Sequence, residues 1–282
     1  MKYLYFVLLL PAFLLLACDK EASVEFGTYE PKIVVEGSIE NGRYASVLLS
    51  ESASMNGPKD TASLLNQVIR SAKVTVSDGE NSEILILTVN KSKIPPYEYA
   101  GTQIRGEAGK TYYLTIECRG KTITAQTYIP KPVPLENISF RKEAGKDSIG
   151  YIYINFRNTS DDYYRVSTQD MSTQTSLVPC LYGNMDNKFY PKDELISIQI
   201  NKGPTIFPYT DFRTYFMTGS MMRIKFSTQP KAAYDFWNSY QNEVLNAQNP
   251  IFPANENLKS NINGGIGIWS GYGSYTYYKI LE

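Results

Sequence analysis

The chain has 282 residues, with 28 Lys+Arg balanced by 28 Asp+Glu and no histidine at all. The missing histidine excludes Ser-His-Asp and Cys-His relays and every His-ligated zinc, iron or copper site. The balanced charge leaves no basic excess for nucleic acid and no polybasic patch for anionic lipid.

The chain opens with Met1-Lys2, an apolar run from Tyr3 to Leu16 broken only by Pro11, and then Ala17-Cys18. That order is a secretory signal, and its final cysteine makes it resemble a bacterial lipobox. Cleavage before Cys18 and acylation of the new N-terminus predict a protein anchored to a membrane by lipid. Two or three acyl chains at ~0.8 kcal/mol per buried methylene hold such a protein almost permanently. The run is too short for the ~20 residues of a spanning helix. Removing residues 1–17 leaves 265 residues at a net charge of about −1, since Lys2 is lost. That length is comfortable for two domains.

Residues 18–30 are polar and irregular and read as a tether. Lys32–Ile39 and Tyr44–Ser50 alternate like strands, and Asn41-Gly42 between them signals a hairpin. Ser52–Asp60 reads as loop, and Thr61–Arg70 fits a helical turn or a loop. Ala72–Ser77, Ile84–Val89, Lys110–Glu117 and Lys121–Tyr128 are further strands, with turns at Asp78-Gly79 and Arg119-Gly120. Short strands with turns at roughly ten-residue spacing predict an immunoglobulin- or fibronectin-like β-sandwich over residues 31–130.

Ile129–Pro134 holds three prolines in six residues, which predicts a stiff linker over 131–136. Residues 137–282 then form a second β-rich domain. Its expected strands are Asn137–Phe140, Tyr151–Phe156, Tyr163–Ser167, Leu195–Ile200, Met221–Phe226 and Ser274–Glu282. Ala233, Phe236, Trp237, Tyr240 and Val244 fall at the spacing of one buried helical face. Ser227 or Thr228 is the expected cap, Pro230 lies near the first turn, and Asn249-Pro250 ends the helix. The stripe reads as core packing.

Candidate chemistry is sparse. Asp161-Asp162 and Asp193-Glu194 are adjacent acid pairs, but neighbours on a strand face opposite sides, and turn residues beside them mark them as solvated. Asn184, Asp186 and Asn187 offer oxygen ligands without the spacing of a calcium loop, so no metal or other cofactor is expected. The glycines of Asn263–Gly273 do not match a dinucleotide fingerprint. Gly264, Gly265 and Gly267 read as turn or close-approach positions. Cys118, in a strand-like stretch, and Cys180, in the loop-like Leu177–Gly183, are expected to be unpaired thiols.

Ser260–Gly273, with Ile33–Ile39, Ala72–Gly79 and Gly109–Ile116, resembles the Bacteroidetes lipoproteins of domain of unknown function 4249. The one departure is Trp269, where the family usually carries Phe. The resemblance implies a two-domain β-rich outer-membrane lipoprotein associated with a TonB-dependent transporter and with nutrient capture. It carries over no activity and no site residue. Asp19-Lys20-Glu21 loosely resembles the acidic signal for display on the cell surface. The expectation is therefore a non-catalytic accessory or ligand-binding lipoprotein of the outer membrane. Its partners would be membrane lipid through Cys18, a transporter barrel, and a glycan or peptide ligand. The alternative is a free-standing glycan-binding or adhesive surface protein, recognising sugars by exposed aromatic rings.

Overall fold

The computed structural model describes residues 30–52, 61–93, 95–204, 213–246 and 258–282. Cys18 and the tether up to residue 29 lie outside the described residues. The protein is mainly β, with 58% strand and 9% helix. Among the described residues, no helix is long and apolar enough to cross a membrane.

One eight-stranded sheet runs through the molecule. From edge to edge its strands are β12 (Val178–Met185), β11 (Tyr163–Asp170), β15 (Met221–Gln229), β16 (Ile266–Ile280), β1 (Ile33–Glu40), β2 (Tyr44–Glu51), β6 (Tyr97–Arg105) and β5 (Ile86–Val89). Two four-stranded sheets accompany it. The first is β4 (Ser82–Ile84), β3 (Lys73–Ser77), β7 (Thr111–Cys118) and β8 (Lys121–Tyr128). The second is β13 (Leu195–Ile200), β10 (Lys146–Arg157) and β14 (Phe216–Met217), with β9 (Leu135–Glu143) also paired to β10. A short helix, α1 (Thr61–Asn66), follows β2, and a long one, α2 (Lys231–Asn246), follows β15.

Strand alternation explains the layers. Val35, Ile39, Val47 and Leu49 point inward to meet Val74, Leu114 and Ile123 of the first small sheet, forming a sandwich core. Tyr164, Val166, Ile224 and Phe226 meet Ile152, Ile154 and Phe156 of the second small sheet in a separate core. The first core draws its N-terminal members from Ile33 to Ile129, and the second begins at Val133. The proline-rich segment thus lies between the two cores. The large sheet is common to both, and Pro31–Glu282 is one compact unit.

β16 joins the cores. Its first part pairs parallel with β1, from Val34↔Ile266 to Glu40↔Tyr272, and its last part pairs antiparallel with β15, from Thr228↔Gly273 to Met221↔Ile280. Fifteen residues at ~3.3 Å each span about 50 Å. Trp269 of β16 is fully buried in the first core and Tyr277 packs on the second. Both are odd-numbered, so the two small sheets cover the same face of the large one.

Several sequence expectations change here. Ser274–Glu282 is the end of a strand that begins at Ile266 and runs through the glycine cluster. Leu177–Gly183 is not a loop, because Val178–Met185 pairs with β11 and buries Cys180. Ile84–Val89 divides at Leu85 between two sheets. β6 was not foreseen, and β10 starts at Lys146 rather than Tyr151. Ser227 and Thr228 lie within β15 and do not cap α2. Thr228 instead donates to the carbonyls of Lys131 (2.8 Å) and Gly273 (3.1 Å). Pro230 does sit at the helix start, its carbonyl accepting from Ala233 and Tyr234. Asn249-Pro250 lies outside the described residues. The hairpin at Asn41-Gly42 and the turns at Asp78-Gly79 and Arg119-Gly120 form as expected, with positive φ at Gly42, Gly79, Arg119 and Gly120.

Candidate functional site

The residues singled out in the sequence do not converge. Asp161 is exposed and pairs with Lys192 at 2.7 Å. Asp162 accepts from the Tyr128 hydroxyl. Burial raises the Asp162 carboxyl above its ordinary value, against the lowering effect of that hydrogen bond. Asp193 and Glu194 are exposed, and their backbones bond to that of Asn158. The oxygen-rich loop serves the fold. Asp186 caps the 3-10 turn Asn187–Phe189 through the amide of Lys188, and Asn184 donates to the Tyr234 carbonyl (3.0 Å) and the Asn238 side chain (2.6 Å). Among the described residues, no group of three or more Cys, Asp or Glu is placed to hold a metal. Cys118 and Cys180 are both free and buried.

The glycines are structural. Gly267 has φ +122° and lies against the carbonyl of Val35. Gly271 and Gly273 have a different task. The segment from Tyr128 to Pro132 crosses directly over them, and a Cβ on either would collide with the carbonyl of Tyr128 or Pro130. The crossing is held by Gly271 N–H to Thr127 Oγ1 (2.9 Å) and by the Thr228 hydroxyl. The proline-rich segment is therefore fastened to β16 in the seam between the two cores, where Ile129 and Val133 are buried.

The opposite face of the large sheet carries the chemistry that the sequence did not single out. α2 lies there, across β12, β11 and β16. Ala233 and Phe236 pack on Ile268, so the predicted stripe is core at these two positions. Trp237 is half-buried and Tyr240 is exposed. The Trp237 indole N–H donates to the Tyr272 hydroxyl at 2.8 Å, and its ring lies 4.0 Å beneath the guanidinium of Arg165. Next to this pair, Lys225 bonds Glu40, with 18% and 16% of their side chains exposed, and Lys225 also lies 5.6 Å above the Tyr272 ring.

Strand register makes these groups neighbours. Arg165, Ser227 and Ser274 stand side by side on β11, β15 and β16, and Ser167, Lys225 and Thr276 form the next row. Both rows lie on the face away from the cores. Beyond them, at the end of the sheet, an open depression of about 370 Å³ is lined by Met221, Tyr278, Lys279, Ile280 and Glu282.

The family model described as Domain of unknown function (DUF4249) matches residues 19–277. The chain belongs to this family. No curated protein matches it. The DUF4249 match runs through both cores, both small sheets and most of β16, leaving out residues 278–282 at its end.

Exposed aromatics are present on this DUF4249 protein, including Tyr182, Phe189, Tyr275 and Tyr278. Tyr275 and Tyr277 are tilted by 51° to one another rather than coplanar. Tyr163 and Tyr234 do stack, at 4.3 Å, but Tyr163 is only 8% exposed. Neither pair offers a flat two-ring platform to solvent.

Proposed function

We propose that this DUF4249 protein is a lipid-anchored, non-catalytic lipoprotein of the outer membrane, displayed at the cell surface, which captures a ligand for a TonB-dependent transporter. The observation that carries the reading is the boundary of the family match. It begins at Asp19, immediately after Cys18 of the Leu-Leu-Ala-Cys motif. Residues 1–17 stand outside the family unit, as a removed leader would.

The non-catalytic part of the reading is supported by how the acids are used. With no histidine, general acid–base work falls to carboxylates, Lys or Tyr. Glu83, Glu98 and Asp170 are each enclosed by hydrogen-bond donors of the fold. A protein tethered in the same membrane plane as its partner also gains effective concentration, so a modest interface suffices.

The test is co-purification. A tagged copy extracted from native membranes in mild detergent is expected to bring down a TonB-dependent barrel, and Cys18→Ser is expected to leave the membrane fraction. Recovery of the lipoprotein alone, across several detergents and growth substrates, would favour a free-standing glycan binder. Sedimentation of the Cys18→Ser variant with membranes at high salt would remove lipid as the anchor.

A further inference from the structure

Arg165 carries a charge that is neither paired nor in open water. Its guanidinium is half-buried above Trp237, and among the described residues it has no hydrogen-bond or ion-pair partner. Glu40, on the same face of β1, is already engaged by Lys225 and by Arg43 at 3.8 Å. Glu36, exposed on β1, attracts the guanidinium electrostatically without forming an ion pair. A half-buried charge that no carboxylate grips directly is costly, and folds ordinarily supply a hydrogen-bonded partner.

The surroundings of Arg165 have spare donors and few acceptors. Ser227 and Ser274 share one hydrogen bond at 2.8 Å between their hydroxyls, which leaves one proton uncommitted. Tyr272 accepts from Trp237 and is also hydrogen-bonded to the Ser270 side chain. Lys225 spends one of its three N–H groups on Glu40. Stacking on Trp237 occupies a face of the guanidinium but leaves its in-plane N–H fork free, which is the part that grips an oxyanion with two hydrogen bonds.

We propose that Arg165, with Lys225, Tyr272 and the Ser227–Ser274 hydroxyls, binds the oxyanion of a small ligand where α2 meets the large sheet. The chemistry is that of a carboxylate, sulfate or phosphate. Burial pulls Arg165 and Lys225 below their ordinary values and pushes the Tyr272 hydroxyl up. The proposal names the ligand chemistry for the capture role above and rests on that reading for its biological purpose. The site itself is tested on the purified protein, with no transporter present.

The protein contains its own reporter. Of its two tryptophans, Trp269 is fully buried in the first core and Trp237 lies against Arg165. The purified full chain in a nonionic detergent is titrated with sodium acetate, glucuronate, sulfate and phosphate, against sodium chloride at equal ionic strength. At least one oxyanion is expected to give a saturable change in emission and a rise in Tm. Which one does so separates a free inorganic ion from an acidic sugar. Arg165→Gln is expected to weaken the response roughly tenfold or more, the size of a lost charge-assisted hydrogen bond. Trp237→Phe should abolish the emission change, which assigns the signal to this ring rather than to Trp269. If Arg165→Gln does not fold, Tyr272→Phe removes a single donor, and a several-fold weaker response supports the site. A wild-type response no different from chloride overturns the proposal. So does a response unchanged in Arg165→Gln, or in Tyr272→Phe where that is the variant available.

Discussion

The indole N–H of Trp269 donates to the backbone carbonyl of Tyr112 at 3.1 Å, across 157 residues of sequence. Both side chains are at most 1% exposed. This one bond ties β16 of the large sheet to β7 of the small sheet through the middle of the first core. Trp269→Phe keeps a ring but leaves that carbonyl without its donor, at an expected cost of roughly 1–3 kcal/mol. Trp269→Ala also leaves a cavity and should cost about 3–5 kcal/mol. Urea denaturation followed by circular dichroism distinguishes the two. A Phe variant as stable as the wild type would show that the indole bond contributes nothing.

Glu83 holds a bulge together. β6 pairs with β2 at Ala100 and again at Arg105, while β2 advances only from Ser46 to Tyr44. The residues between bulge outward and their amides lose strand partners. The Glu83 carboxylate, 5% exposed, takes the amides of Thr102 (2.9 Å), Gln103 (2.8 Å) and Ile104 (3.1 Å). Glu83→Ala strands one buried and two part-buried donors and should cost about 2 kcal/mol or more. Glu83→Gln should also destabilise, because its NH₂ must face a backbone N–H. Hydrogen exchange at Thr102–Ile104 should accelerate in both. Unchanged protection there would remove the carboxylate from this role.

The acid limb of stability should include Glu98. Burial alone would raise its carboxyl, but hydrogen bonds from Lys93, Ser46 and Asn90 outweigh burial and hold it below the ordinary 4.5. A depressed folded value means the stabilisation is present above about pH 4.5 and is lost as pH falls through the folded value. Glu98→Gln should therefore be less stable than wild type by roughly 1–3 kcal/mol at neutral pH, and the gap should close below pH 4.5. A gap independent of pH would mean that charge is not what Glu98 contributes.

The two internal thiols should be inert in the native protein. Burial pushes the Cys180 thiol up to about 12 and raises Cys118 as well. Only thiolates react appreciably with thiol reagents. At pH 8 a chromogenic disulfide reagent should find neither thiol until denaturant is added, and then both. Rapid reaction of either in the native state would contradict their burial.

Much of the N-terminal half was legible because its strands alternate cleanly and its hairpins carry Asn41-Gly42 and Arg119-Gly120. α2 was legible from its period, although its cap was not. Three strands were hidden for separate reasons. β6 loses its alternation at the bulge served by Glu83. β12 contains Pro179 and Gly183 among polar residues. In β16 the glycines mimic turns, whereas their reason is the chain that crosses Gly271 and Gly273. The Arg165 cluster was hidden more deeply. Arg165, Lys225 and Tyr272 occupy the outward positions of ordinary strands, which normally face water. Only the helix folding back over them, and a pairing of β1 with β16 across more than two hundred residues, turns that outward face into an enclosed one.

That parallel pairing has a consequence for the order in which the molecule can be completed. The first strand of the fold pairs early with β2, but its other neighbour is the distant β16, Ile266–Ile280. As the chain emerges from the ribosome, β1 presents a bare edge until β16 has been made, and Trp269 is missing from the first core for all of that time. Pairings this distant in sequence are slow to form, and an unpaired strand edge invites the wrong partner. The C-terminal strand is the closing stitch of both halves. A nascent chain that has not reached it has no finished N-terminal half to fold.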